Sequence, residues 1–337
     1  MPLSFPAAVA TPLLAAGLLV LASPSIAMAD TATQDVVGWT VETADNDLGS
    51  GRGNFGYDVA PGEVIRDSMI VVNTGTVELP LDVYAADAFT TSGGDVDVLL
   101  DGTTSEGAGT WVEIEKSSVR LSPGAHTEID FTITVPNDAR PGDHAAGIVT
   151  SLVTSDASQT LAVDRRLGTR INARVAGALI PSAQITQATA SYEPSWNPFD
   201  TGVVTVTYAL ENTGNTRITG VEKVSVAGPL GLLGTDAGTA GLPEVIPGST
   251  VEMQRTIEAT SIGWLSTTLT VRPEGIGLGA GAVAPISVDV AFPAVPWSLY
   301  ALLVGAVALV GVVLLVALRR QRARAAKSMA EAVPHDE

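Results

Sequence analysis

The sequence predicts an all-β protein: two tandem immunoglobulin-like β-sandwiches followed by one C-terminal transmembrane helix. Three observations carry this reading. Short runs alternate apolar and polar residues, the runs are punctuated by recurring Pro-Gly and Asn-Thr-Gly turns, and an uncharged stretch over 297–318 precedes a cluster of arginines. Period-two alternation between turn residues is the signature of half-buried antiparallel strands, and many such strands in sequence make a sandwich.

The chain begins with residues 1–29, which contain no charged side chain. An apolar core from Leu13 to Ala22 is followed by Ala27-Met28-Ala29. Small residues at −3 and −1 mark a secretory signal peptide cut between Ala29 and Asp30. The segment lacks the usual Lys or Arg, so an uncleaved anchor is the alternative. Pro6, Pro12 and Pro24 disfavour a spanning helix.

The first sandwich is placed at 30–178 and the second at 179–293. In the first, Ile129, Phe131, Ile133 and Val135 alternate with Asp130, Thr132 and Thr134. In the second, Val204, Val206, Tyr208 and Leu210 share one parity, as do Val251, Met253 and Ile257, then Leu265, Leu269 and Val271, then Ile286, Val288, Val290 and Phe292. Pro61-Gly62, Pro123-Gly124, Pro141-Gly142 and Pro247-Gly248 adjoin strands. Proline presets φ near −65° and glycine accepts the positive φ of a type II turn. Asn73-Thr74-Gly75 and Asn212-Thr213-Gly214 each end a strand and are each followed by a second strand, Val77 to Tyr84 and Arg217 to Val226. A Pro-Gly and an alternating strand come later in both halves. The chain therefore reads as two copies of one topology, with the boundary near Gly177 to Pro181.

Pro293 and Pro296 make a stiff link to the run Trp297–Leu318. At 1.5 Å per residue this run spans about 33 Å, enough to cross a bilayer. Trp297 and Tyr300 suit the headgroup level, and Trp297-Ser298-Leu299 reads as part of that aromatic belt. Arg319, Arg320, Arg322 and Arg324 follow, which assigns the tail 319–337 to the cytoplasm. The expected arrangement is a single-pass cell-membrane protein with an extracellular ectodomain.

The tail holds five of the 18 Lys and Arg and three of the 36 Asp and Glu, which leaves 13 basic against 33 acidic residues before it, a net charge of −20. Such a field repels polyanions and excludes nucleic acid as a partner. With no Cys, and with His335 in the tail, only His126 and His144 are available to an ectodomain metal centre. No cofactor and no metal are expected. Asp95, Asp97 and Asp101 lack the loop glycine and terminal Glu of an EF-hand and fit an acidic strand face. Lack of disulfides in an exported protein fits a bacterial wall. The ectodomain contains no Gly-x-Ser-x-Gly, His-Glu-x-x-His or Ser-x-x-Lys, so the expected function is non-enzymatic.

The first domain carries an ordered series: Val59-Ala60-Pro61-Gly62, Asn73-Thr74-Gly75, Tyr84 to Thr91, Gly93-Gly94, Trp111-Val112, Ser122-Pro123-Gly124 and Val135 to His144. Over about residues 36–178 this resembles the peptidoglycan-binding domain of the WxL-interacting proteins, a bacterial surface family. The resemblance implies an immunoglobulin-like fold that holds surface complexes at the wall. The family's second domain is not recognisable in 180–292, which looks like a generic immunoglobulin-like module.

Three groups of residues are candidates for ligand contact. Asp87, Phe89 and Thr90 are expected in a loop at a sandwich end, with Phe89 and Trp111 as stacking surfaces and Asp87 and Thr90 as hydrogen-bonding groups for sugar hydroxyls. Asp143 and His144 follow the Pro141-Gly142 turn and offer polar contacts to a glycan or peptide stem. Arg166, Arg170 and Arg174 share one strand face, with Leu167, Ile171 and Val175 opposite, and guanidinium forks suit anionic wall polymer. For each group the competing reading is structural: turn capping, core packing or cross-strand pairing with acids. Two functions follow. One is binding of peptidoglycan or anionic wall polymer while presenting a surface partner. The other is a surface assembly or adhesion scaffold that acts through protein–protein contacts and exposed sheet edges, without glycan affinity.

Overall fold

The computed structural model describes residues 35–155, 162–277, 281 and 283–331. The expected signal peptide and its cleavage point lie outside them. The chain is mostly β, with one long C-terminal helix. The first strands are β1 (Trp39–Thr43), β2 (Phe55–Val59), β3 (Val64–Asn73), β4 (Leu79–Thr90), β5 (Val96–Val98), β6 (Val112–Ile114), β7 (Ser118–Leu121), β8 (His126–Thr134), β9 (Gly142–Ser155) and β10 (Ala162–Val175). Then come β11 (Ala183–Glu193), β12 (Gly202–Asn212), β13 (Ile218–Ala227), β14 (Thr235–Val245), β15 (Thr250–Ala259), β16 (Gly263–Gly275), β17 (Ile286–Ala294) and α1 (Trp297–Glu331).

Among the described residues the strands form four sheets. In the N-terminal half, β1-β3-β8-β6 is one sheet and β2-β10-β9-β4-β5, with β7 also on β4, is the other. In the C-terminal half the sheets are β11-β12-β15 and β14-β13-β16-β17. Pairing is antiparallel except that β2 runs parallel to β10.

Alternation in the sequence becomes alternation in burial. Ile129, Phe131, Ile133 and Val135 are buried, and so are Val204, Val206, Tyr208 and Leu210. One hydrophobic cluster joins Met69, Phe131 and Ile133 of the first sheet to Phe55, Leu81, Ile148 and Ile171 of the second. A separate cluster joins Val206, Tyr208 and Val251 to Val224, Leu265 and Leu269 in the C-terminal half. Each core is thus closed by two sheets facing one another, the usual way a sheet buries its apolar face.

The turns repeat in atomic detail. Asn73 Nδ2 donates to the carbonyls of Val77 and Leu121, both at 2.8 Å, and its Oδ1 accepts from Gly75 N at 2.9 Å. Asn212 Nδ2 donates to Thr216 and Val245, both at 2.8 Å, and its Oδ1 accepts from Gly214 N at 3.0 Å. The glycines of all four Pro-Gly pairs have positive φ.

Two expectations change. The strand expected to end at Tyr84 continues as β4 to Thr90, because Asp87 pairs with Ala146 of β9 and Ala88 to Thr90 pair with β5. Asp87, Phe89 and Thr90 therefore lie in a strand and not in an end loop. Leu167 has the parity of Ile171 and Val175 but is exposed, while those two are buried. The β9–β10 ladder extends past the core, so parity there no longer implies burial.

α1 continues as a helix through the basic residues after Leu318. It is long and apolar enough to cross a membrane by length and composition, and its apolar part is not buried against the rest of the chain.

Candidate functional site

The arginines of β10 share a face, as their spacing requires. Antiparallel register sets Arg166 opposite Ser151, Arg170 opposite Gly147 and Arg174 opposite Asp143. Each guanidinium meets carboxylate. Arg166 lies 3.7 Å from Asp164 and 4.0 Å from Asp97. Arg170 Nη1 is 3.1 Å from Glu244 Oε2, and Arg174 Nε is 2.7 Å from Asp143 Oδ1. The row sits in ion pairs, two of which lie at the junction of the two halves.

That junction is built on two carboxylates, Asp143 and Glu244. Asp143 Oδ2 accepts from Arg174 Nη2 at 2.8 Å and from the backbone N–H of Arg217 at 2.7 Å. Arg217 Nη1 reaches Glu244 Oε1 at 3.0 Å, so Glu244 joins Arg170 and Arg217. Arg174 Nη2 also donates to the Ile276 carbonyl at 2.5 Å. The Asp143 side chain is only 3% exposed. Burial pushes its carboxyl upward, but the Arg174 hydrogen bond, the Arg217 N–H and both positive charges outweigh this and hold it below the usual carboxylate range.

Main chain and apolar contacts surround this ionic seam. Asp143 N donates to the Asn215 carbonyl at 2.7 Å, and Asn215 Nδ2 donates to Pro141 and Ala178, both at 2.9 Å. A Cβ on Gly142, which has φ +127°, would fall 2.1 Å from the Asn215 carbonyl oxygen, so the approach requires glycine. Ala88, Ala145 and Ile246 form a small apolar cluster beside it, flanked by Val96 and Val98.

Thr90 belongs to the same junction. Its hydroxyl donates to the Glu244 carbonyl at 3.1 Å and accepts from Ile246 N at 3.0 Å, while its own N–H donates to Ser249 Oγ at 3.0 Å. Asp87 instead caps a loop. Its carboxylate accepts from the N–H groups of Glu106, Gly107 and Gly109 at 2.6–2.8 Å. Trp111 ends a single 3₁₀ turn, Ala108–Trp111, with its ring 4.7 Å from the His144 ring. His144 Nε2 is 2.8 Å from the Arg140 carbonyl. Phe89 is half-buried and pairs with Asp97 across β4–β5. A cleft of about 310 Å³ opens here, bordered by Asp87, Arg140, Asp143, His144 and Asn215. The structure thus brings Thr90, Asp143, Arg170 and Arg174 to one junction, sets Asp87 and His144 at its border, and leaves Arg166 further along β10. Asp97 faces Arg166, and Asp101 caps its own turn at Gly102 N, 2.9 Å away.

No protein-family model and no curated protein matches the chain. Among solved structures, the chaperone–tip adhesin complex of CFA/I fimbriae is similar at 10% identity and a TM-score of 0.33, over 77% of this chain and 99% of that one. The class 5 fimbrial chaperone CfaA is similar at 11% identity and a TM-score of 0.32, over 76% of this chain and 100% of that one. The CsuC–CsuE pre-assembly complex of Acinetobacter baumannii pili gives 12% identity and a TM-score of 0.33, over 70% of this chain and 94% of that one. None of these superpositions is close enough to carry a function to this chain.

Arg217, Glu244, Asn215 and Ser249 were missed by sequence reasoning. One signal pointed to part of this set: the Asn-Thr-Gly turn at Asn212 is followed at once by Asn215 and then by Arg217. A second network was also missed. Asp67, fully buried at its side chain, binds Arg52 at 2.6 Å and accepts from Tyr57 OH at 2.6 Å and Asn46 Nδ2 at 2.6 Å. It ties the glycine-rich loop before Phe55 to β3.

Proposed function

We propose that the chain is a non-enzymatic, membrane-anchored surface scaffold. Two tandem immunoglobulin-like sandwiches, close to 30–178 and 179–293, form one stiff elbow, and α1 holds it on the bilayer with its arginine-rich end in the cytoplasm. The observation that carries this reading is the shared carboxylate of Asp143, which takes Arg174 from the first sandwich and both the main chain and the side chain of Arg217 from the second. Seven residues join β10 to β11. A linker that short, bridged by ion pairs, hydrogen bonds and apolar contact, gives the two sandwiches little freedom to turn. A stiff arm sets its partner surface at a fixed height and angle above the membrane, which suits assembly and adhesion. The membrane part is supported by the length and exposed apolar surface of α1.

A second reading, contact with peptidoglycan or anionic wall polymer, follows from the resemblance to the WxL-interacting proteins. It is favoured by one observation: a groove of about 420 Å³ bordered by Asn54, Val98, Arg166, Gly168 and Arg170. The pairing of both arginines with acids counts against strong polyanion affinity. Retention of the ectodomain, residues 30–293, on purified peptidoglycan separates the two. Retention that falls with salt and falls again in Arg166→Ala favours wall binding, because exposed-charge attraction is screened over about 8 Å at physiological ionic strength. No retention at any salt leaves the protein scaffold.

A further inference from the structure

The end of the C-terminal half from which α1 leaves is unlike the rest of the acidic ectodomain. Register places three connections at this end: Glu193 pairs with Val203, Ala227 with Ser266, and Gly263 with Ala294. The connections are 194–201, 228–234 and 260–262. Together they carry one ionisable side chain, Asp200. They also display large apolar groups to solvent. Trp196 is 96% exposed, Phe199 84%, Leu230 99%, Leu232 56% and Ile262 49%. Leu230 and Leu233 have φ of 59° and 56°, a left-handed conformation that a branched side chain rarely adopts. A loop that strains its backbone while holding a leucine fully in solvent gains nothing from water, so the side chain is placed for another contact.

The helix fixes which contact is in reach. Ser298 Oγ donates to the Ser195 carbonyl at 2.7 Å, and Tyr300 OH donates to the Ile262 carbonyl at 2.7 Å. Ser261 Oγ donates to the carbonyl of Ala294, the last residue of β17, at 2.5 Å. Trp196 and Trp297 are each one residue from the first of these bonds, so they lie at nearly the same level. A bilayer crossed by α1 begins at that level.

We propose that these three connections form a membrane-docking collar, in which Trp196, Phe199, Leu230, Leu232 and Ile262 enter the headgroup and upper acyl region of the leaflet where α1 starts. This rests on the reading of α1 as a membrane anchor. Tryptophan and aliphatic groups favour that depth, and near-absence of charge removes the cost of approaching it. The collar holds the elbow upright, so that the junction geometry is referred to the membrane plane.

The test uses the full chain in phospholipid nanodiscs of phosphatidylethanolamine and phosphatidylglycerol. The native sequence has no Cys, so single spin labels are placed by Phe199→Cys, Leu230→Cys, Thr40→Cys and Val310→Cys. Collisions with oxygen report lipid, and collisions with a nickel chelate report water. The expected result is oxygen-dominated relaxation at positions 199, 230 and 310, and nickel-dominated relaxation at 40. Oxygen-dominated 310 with nickel-dominated 199 and 230 overturns the collar and leaves the anchor standing. Nickel-dominated 310 overturns the anchor and the collar with it. Labels at 199 and 230 shielded from both reagents, with dipolar broadening between copies, assign the surface to self-association and overturn the collar.

Discussion

Arg174 and Asp143 stand directly opposite each other on β10 and β9 and share two hydrogen bonds, at 2.7 and 2.8 Å, while the same carboxylate accepts the N–H of Arg217 from the other half of the molecule. An arginine fork on a buried carboxylate is a strong, directional contact. Here it also orients the carboxylate toward a second partner, so that one side chain serves both a ladder within a sheet and the contact between halves.

Removing that side chain exposes the dependence. Asp143→Ala leaves two arginines facing a site without its anion, which costs about 3 kcal/mol or more when a buried pair is broken. Urea denaturation of residues 30–293 should show this loss. Arg166→Ala, which disturbs no contact at the junction, should cost under about 1 kcal/mol, as partly exposed pairs do.

Acid should loosen the same contact. The folded pKa of Asp143 is depressed, so its contribution to stability is fully present above the unfolded value of about 3.9 and is lost as pH falls through the folded value. Asp67 is depressed as well, with burial opposing and the Arg52 and Tyr57 hydrogen bonds prevailing. Thermal melts should therefore drop below about pH 4. In Asp143→Asn the drop should be smaller.

The paired turns give a matched test. Asn73→Ala strands the carbonyls of Val77 and Leu121, and Asn212→Ala strands those of Thr216 and Val245. Unsatisfied buried groups cost about 1–3 kcal/mol each. Both variants should lose stability by similar amounts in differential scanning calorimetry. A large loss for one and none for the other would deny that the two turns do the same work.

Strand parity is checked by Ile133→Asp. Ile133 is 1% exposed between the two N-terminal sheets. An unpaired carboxylate there costs several kcal/mol, so residues 30–293 should lose their cooperative melt. Thr132→Asp, on the opposite face, should retain it.

What the sequence discloses divides along physical lines. Alternation is local, so Ile129, Phe131 and Ile133 could be assigned to one face from their own segment, and the Pro-Gly and Asn-Thr-Gly turns declare their backbone needs in two or three residues. The arginine row of β10 was legible for the same reason. Its partners were not: Glu244 lies 74 residues from Arg170, and only the fold brings them together. Thr90 and Asp143 could be singled out as polar groups near strand ends, yet nothing local tells a ligand contact from a contact with another part of the chain. The loop expected at Asp87 to Thr90 became strand because β5 and β9 supply pairing partners, which is again a non-local cause.

Double electron–electron resonance measures the stiffness of the elbow directly. Spin labels at Thr40→Cys and Val203→Cys, one in each half, report the distance between the two halves in residues 30–293. A stiff elbow gives a single narrow distance distribution that broadens in Asp143→Ala. A broad distribution in the otherwise native protein, unchanged by Asp143→Ala, would contradict it.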